Sequence, residues 1–403
     1  MHRRQVVRSL AAVAAGTSLL LVAACAGRTP SPGGSLRSTA GSSPSAATSL
    51  PPGPPAPASF VLPSSTPFTL TGVRDVAQVG QITGADAPGS TVRWGMGYAD
   101  LGSMFEANGK VWFTFGDNFA SRAEGATGGG GTGWRSNAMA WTTDADPSDG
   151  ITLGGMVTDD LGLAKELLPS KKVDDTEMTV IPTYGFEAGG AMYLHWMSVR
   201  HWGVPGEWDV NDAGLARSTD QGQSWTVLDG PRWGGTSGFV QVATHHVTED
   251  GVDTLYVWGI THGRFGGVHL AKVPAATVED ASAWRYLTAV DGAGNPTWGT
   301  DATQATTILD DTVGELSVAW NTYLGRWVMT YLKEGTGIVI REGLSPWGPW
   351  GQPITLVGAH DVAGPYAPYM LDRYTANGGK TIYFALSIWD PYEVFWYRAD
   401  LQK

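Results

Sequence analysis

Tyr98-Ala-Asp-Leu-Gly-Ser-Met-Phe-Glu-Ala-Asn-Gly-Lys-Val-Trp-Phe-Thr-Phe-Gly-Asp-Asn-Phe119 consists of two apolar runs joined at Asn108-Gly109. Asn-Gly between strand-like runs is a strong hairpin signal, because a type I′ turn needs φ > 0 at both central residues. The turn pairs Ala107 with Lys110. Carried outward, the same register sets Asp100 opposite Asp117, roughly 5 Å apart on one face of the ladder. Like charges placed opposite one another cost stability, so the pair demands a reason. Asp-Leu-Gly and Gly-Asp-Asn also suit turn-capping aspartates, but the shared register and the nearby aromatics Trp94, Tyr98, Trp112 and Phe119 favour a site.

The second run of this hairpin recurs. Gly109-Lys-Val-Trp-Phe-Thr-Phe-Gly is followed by Gly190-Ala-Met-Tyr-Leu-His-Trp-Met and Asp253-Thr-Leu-Tyr-Val-Trp-Gly-Ile. Gly325-Arg-Trp-Val-Met-Thr-Tyr-Leu and Gly379-Lys-Thr-Ile-Tyr-Phe-Ala-Leu-Ser complete the set. Each begins at a turn residue and enters an aromatic-rich β segment. Repeats at this spacing indicate an all-β, five-bladed β-propeller. Ser218-Thr-Asp-Gln-Gly-Gln-Ser-Trp225 fits an Asp-box pattern resembling the outer-strand turns of sialidases and related propellers. Its Asp and Gly serve the turn, so Asp220 is read as structural. Phe68–Val73 and Tyr392–Leu401 read as first and last strands, one of which closes the ring. Asp160–Leu168 is the best short helical segment.

The chain has 403 residues, a net charge of −12 and one cysteine. An acidic chain lacks the basic stripes of nucleic-acid binding. Residues 1–25 read as a lipoprotein signal peptide: a basic start, an apolar run from Leu10 to Val22, then Leu21-Val-Ala-Ala-Cys25. This run is shorter than the ~20 residues of a membrane span. The lipobox resemblance implies cleavage before Cys25 and lipidation of its sulfur. The mature protein is then exported and held by lipid at the outer face of the cytoplasmic membrane. Residues 26–65, rich in Ser, Pro, Gly and Ala, read as a disordered tether. Residues 66–403 read as the propeller domain, a monomer.

Two opposed carboxylates are the equipment of glycoside hydrolysis, one protonating the leaving oxygen and one acting as nucleophile or base. Their repulsion holds a proton on one of them. Glu177, His195 and Glu315 adjoin other strands and are candidates for sugar binding. Trp94, Tyr98, Trp202, Trp208, Trp347 and Tyr366 are candidates for stacking. The histidines show no metal-ligand spacing, and no metal or cofactor is expected. Asp144-Ala-Asp-Pro-Ser-Asp-Gly150 reads as a solvated turn and Gly128–Gly131 as a mobile rim loop.

Arg93-Trp-Gly-Met-Gly-Tyr-Ala-Asp-Leu-Gly102, Phe115-Gly-Asp-Asn-Phe119, Val180-Ile-Pro-Thr183, the Asp box, Trp347-Gly-Pro-Trp350 and Leu386-Ser-Ile-Trp389 carry a resemblance. The chain resembles a family of exported actinobacterial five-bladed propellers, formerly of unknown function and now associated with endo-D-arabinanase activity. The resemblance spans about Thr66 to Lys403. It implies hydrolysis of internal linkages in D-arabinan, the polymer of arabinogalactan and lipoarabinomannan, with acidic catalysts at Asp100 and Asp117. Ala99 stands where many members of that family have Thr. A non-catalytic carbohydrate-binding propeller of the cell envelope is the alternative. A sialidase-like exo-glycosidase is a third reading, and it would require an arginine cluster that this chain lacks.

Overall fold

The computed structural model describes residues 49–55, 57 and 61–403. Residues 1–25, read as a signal peptide ending at Cys25, and most of the segment read as tether lie outside the described residues. Strand β1 (Gly72–Gln81) is followed by antiparallel meanders. The first runs through β2 (Tyr98–Ala107), β3 (Lys110–Phe119), β4 (Ala138–Thr142) and β5 (Gly155–Met156). The second is β6 (Thr179–Ala188), β7 (Ala191–Trp202), β8 (Trp208–Ser218) and β9 (Thr226–Gly234). The third is β10 (Gln241–Glu249), β11 (Val252–Ile260), β12 (Gly266–Pro274), β13 (Arg285–Val290) and β14 (Pro296–Gly299). The fourth is β15 (Leu309–Asn321), β16 (Arg326–Lys333), β17 (Gly337–Gly343) and β18 (Ile354–Gly358). The last is β19 (Pro365–Ala376), β20 (Thr381–Ile388) and β21 (Glu393–Gln402), and β1 completes it by pairing antiparallel with β21.

The fold is all-β and propeller-like. The third and fourth meanders join as one sheet where β12 bridges β15 at Gly266↔Val313 and Val268↔Leu309. Strand β2 touches β6, β6 touches β10, β10 touches β15, β15 touches β19, and β19 returns to β2. The aromatic repeats of the sequence fall on β3, β7, β11, β16 and β20, the second strand of every meander. These strands are buried along most of their length. Their sequences are therefore continuous apolar runs rather than alternating ones. Every residue of β20 is buried, whereas β1, on the outside, is largely exposed.

Local readings meet the structure unevenly. Asn108 (φ 53) and Gly109 (φ 68) take the left-handed conformations of the expected turn. The Asp box links β8 to β9: the Asp220 carboxylate accepts from Ser218 Oγ at 2.8 Å and Ser224 N at 2.9 Å, and Gly222 has φ 81. Asp160–Leu168 is not helical. Asp159 Oδ1 instead accepts from the N–H groups of Leu161 and Leu163, a local bond that competes with helix, and Leu161 is exposed. The first strand starts at Gly72 rather than Phe68.

Part of the segment read as tether lies on the domain. Leu50 is buried and donates its N–H to Gly109 O at 2.8 Å, Arg373 Nη2 donates to Pro51 O at 2.8 Å, and Thr248 N donates to Pro57 O at 2.9 Å. Among the described residues no helix is long and apolar enough to cross a membrane.

Candidate active site

Asp100 and Asp117 lie on the paired strands β2 and β3. The expected register holds at Tyr98↔Phe119 and Ala99↔Asn118, and again from Ser103↔Thr114 to Ala107↔Lys110. Between these stretches the ladder is irregular: Leu101 pairs with Phe115, and Leu101 (φ 68) and Gly102 (φ 87) adopt left-handed conformations. Asp100 is therefore not one half of a regular cross-strand pair with Asp117. Its carboxyl passes over Gly116, where a Cβ would come within 2.5 Å of Asp100 Oδ1. The bulge re-aims the side chain, as bulges beside functional sites do, and glycine at 116 leaves room for it.

The two carboxyl groups have different partners. Asp100 is half-buried, and its Oδ2 accepts a hydrogen bond from Tyr366 Oη at 3.0 Å. Its Oδ1 is buried with no partner among the described residues. Burial, then the charge of Asp117, pushes Asp100 up to about 7, against the hydroxyls of Tyr392 and Tyr366, which favour the ionised form. Asp117 is buried, and its Oδ1 accepts from Trp134 Nε1 at 2.7 Å and Thr179 Oγ1 at 2.7 Å. Burial lifts Asp117 to about 6, held back by these two donors. Of the two, Asp100 is pushed up further and keeps its proton to the higher pH.

Both aspartates open into a cavity of about 940 Å³, lined by residues from β2, β6, β10, β15 and β19. Glu315 lies buried in the wall, paired to Arg264 Nη2 at 2.8 Å and to Arg264 Nε at 3.2 Å. The Arg264 guanidinium also sits 5.0 Å from the Tyr366 ring, which links this ion pair to the tyrosine bonded to Asp100. Tyr392, an aromatic residue at φ 68, is a conformational outlier of the sort that clusters at functional sites.

The cavity brings together Asp100, Asp117, Glu315 and Tyr366, with Trp202 and Trp208 on its wall. The other candidates lie outside its lining. Glu177 closes a turn, accepting from Lys171 N at 3.1 Å and Ser198 Oγ at 3.0 Å. His195 is buried behind Thr183, whose Oγ1 is 2.9 Å from its Nδ1, and it stacks on Trp233 at 5.2 Å. Burial pulls its pKa down to about 3, so it stays neutral. Trp94 is covered by Arg93 at 3.9 Å, Tyr98 by Arg122 at 4.3 Å, and Trp347 is buried with Nε1 donating to Gly294 O. Trp134, Thr179, Arg264 and Tyr392 were not singled out by sequence, and Trp389 entered only as the end of the Leu386–Trp389 motif. They come from separate parts of the chain, save that Trp389 and Tyr392 share the β20–β21 loop.

One group among the described residues has the composition of a cation site. The ligand atoms of Asp174, Asp175 and His201 lie within 4.8 Å of one another. None of the three lines the cavity. Arg200 and His201 already pair with these acids at 3.7 Å and 2.8 Å.

Comparison with known proteins adds the following. No curated protein matches the chain. The crystal structure of a "putative hydrolase" from Bacteroides ovatus aligns with a TM-score of 0.52 at 13% identity, covering 76% of this chain and 86% of that one. The GH43_1 enzyme from Xanthomonas citri aligns at 0.44 with 14% identity, covering 77% and 88%. The Bacillus subtilis arabinanase Arb43A aligns at 0.41 with 13% identity, covering 75% and 95%. At such identities the first alignment speaks to fold alone, and the other two are too loose to argue from. The model of DUF4185, a domain of unknown function, matches residues 86–398. The chain belongs to the DUF4185 family, and the matched span takes in both aspartates and every residue that lines the cavity.

Proposed function

We propose that the protein is a glycoside hydrolase of five-bladed propeller architecture that cleaves internal linkages of D-arabinan. The observation that carries this reading is the pair of unequal carboxyl groups in one cavity. Asp100, buried and facing Asp117, is raised further, to about 7, than Asp117, raised to about 6 beside its two donors, so Asp117 is the first to lose its proton. In the proposed reaction Asp100 protonates the glycosidic oxygen as the C–O bond breaks. Asp117 either attacks the anomeric carbon or takes a proton from the attacking water. Trp134 and Thr179 donate to Asp117 and favour its charged form. The Arg264–Glu315 pair offers hydrogen-bonding groups to sugar hydroxyls. Four of the meanders and the fifth closed by β1 act as blades around this cavity. D-arabinan as the substrate rests on the sequence resemblance, and anchoring through lipid on Cys25 would place the enzyme beside that polymer.

The sialidase-like reading finds little support. Among the described residues Arg264 is the one arginine in the cavity lining, and Glu315 already engages it.

The test is incubation of purified arabinogalactan with wild type, Asp100→Asn and Asp117→Asn, followed by sizing of the products. Wild type should release oligosaccharides, and each variant should lose at least about a hundredfold in rate, the scale of one acid–base group. Near-normal release by both variants would overturn the assignment. Binding without any product would instead support a carbohydrate-binding module.

A further inference from the structure

The glycine run read as a mobile rim loop packs into the site. Gly128 (φ 66) lies flat against Trp389: a Cβ there would come within 2.3 Å of ring atom Cζ2. A Cβ at Gly129 would reach the Tyr392 ring at 3.1 Å, and one at Gly131 (φ 139) would meet Ser121 O at 2.1 Å. Arg122 clamps the loop. Its Nη1 donates to Gly128 O at 2.7 Å and its Nη2 lies 3.6 Å from Asp390 Oδ1. Only glycine lets the backbone approach this closely, so the run braces an aromatic wall.

That wall faces the cavity. Trp389 is 51% exposed, yet its ring stands 5.8 Å from Tyr392 and 6.5 Å from Tyr366, whose hydroxyl bonds to Asp100. Gly129, Gly130 and Gly131 also line the cavity, and among the described residues none of their N–H groups has an acceptor. A flat indole face beside unspent peptide donors suits a neutral polyhydroxylated ring, with C–H edges on the indole and hydroxyls on the peptides. Among the described residues the nearby cation, Arg122, is committed to the loop and to Asp390.

We infer that Trp389 and Gly129–Gly131 form a sugar-binding subsite adjoining Asp100, with Gly128 as the residue that positions the indole. The inference rests on the glycosidase reading for its reaction but not for its binding. The experiment uses the full-length protein and D-arabinan oligosaccharides. It measures kcat and KM, with pH profiles, for wild type, Trp389→Ala, Trp389→Phe and Gly128→Ala. Oligosaccharide binding is followed separately by isothermal titration calorimetry in Asp117→Asn, with and without Trp389→Ala. Trp389→Ala should raise KM by about tenfold, the value of one good aromatic contact, and leave the pH limbs in place. Trp389→Phe should recover most of that loss, and Gly128→Ala should resemble Trp389→Ala. An unchanged KM in Trp389→Ala, or a loss confined to kcat with displaced pH limbs, overturns the subsite. Saturable binding that disappears with Trp389 upholds the subsite even where no product forms, and in that case the glycosidase reading alone fails. Absence of any binding overturns both.

Discussion

Replacing Tyr366 with Phe tests the assignment of the proton to Asp100. The substitution deletes one hydroxyl, which donates to Asp100 Oδ2 at 3.0 Å. A hydrogen bond to a carboxylate favours its charged form and contributes about 1.5–3 kcal/mol. Each 1.36 kcal/mol corresponds to about one pH unit, so its loss should raise the Asp100 pKa by about one to two units. In the proposed reaction Asp100 acts protonated, and the alkaline limb of kcat/KM reports its ionisation in the free enzyme. That limb, at about 7 in wild type, should therefore move upward in Tyr366→Phe. The acid limb, set by Asp117 at about 6, should hardly move. Asp117→Asn supplies the opposite sign. Removing its negative charge should lower the Asp100 pKa, which is measured by carboxyl NMR titration, a readout that needs no activity. An alkaline limb that stays fixed or falls in Tyr366→Phe would refute the assignment, as would an Asp100 pKa that rises in Asp117→Asn.

Asp100→Asn should stabilise the fold in a pH-dependent way. Folded Asp100 holds its proton to about 7, whereas the free side chain releases it near 3.8. Between those values the folded state binds more protons, so wild-type stability falls as pH rises. Asn does not titrate, so the variant's advantage should be absent below pH 3.8 and complete above about 7. About 2 kcal/mol is expected after allowing for partial exposure. Thermal unfolding at pH 4 and at pH 8 checks it, and an advantage that shrinks with rising pH would contradict it. Asp220→Ala in the Asp box should cost about 1–2 kcal/mol of stability through the bonds lost to Ser218 and Ser224. It should leave kcat/KM unchanged at a temperature where the protein is folded, which chemical denaturation and kinetics together establish.

The parts legible in the sequence are those governed by neighbouring residues. Asn108-Gly109 announces its turn because few other dipeptides tolerate two left-handed residues. The aromatic runs on β3, β7, β11, β16 and β20 announce themselves because a strand buried along its length must be apolar throughout. The Asp box is complete within Ser218–Trp225. The cavity wall was less legible because it is assembled from distant residues. Tyr366 meets Asp100 across 266 positions, and Arg264 meets Glu315 across 51. Glu177 and His195 illustrate the converse. A polar residue next to a core strand has several ways to be satisfied, and here a turn takes the first and Thr183 the second.

The bulge beside Asp100 explains how two aspartates on one hairpin come to differ. Between Ala99↔Asn118 and Leu101↔Phe115, β3 carries two residues, Gly116 and Asp117, against Asp100 alone on β2. Between Leu101↔Phe115 and Ser103↔Thr114, β2 carries Gly102 against none on β3. The two irregularities cancel, so the flanking register survives and the turn gives no hint of them. A regular ladder would have set the carboxyl groups in equivalent surroundings, where repulsion alone decides which one keeps a proton. The displaced ladder instead aims Asp100 toward Tyr366 and Tyr392, beside the last meander, and Asp117 toward Thr179 on β6 and Trp134. Each aspartate is thereby tuned by a different neighbour, and the inequality between them is built into the packing of the meanders. It follows that substitutions at Gly102 or Gly116, which bear no functional group, should disturb the proton assignment by returning the two carboxyl groups to more similar settings.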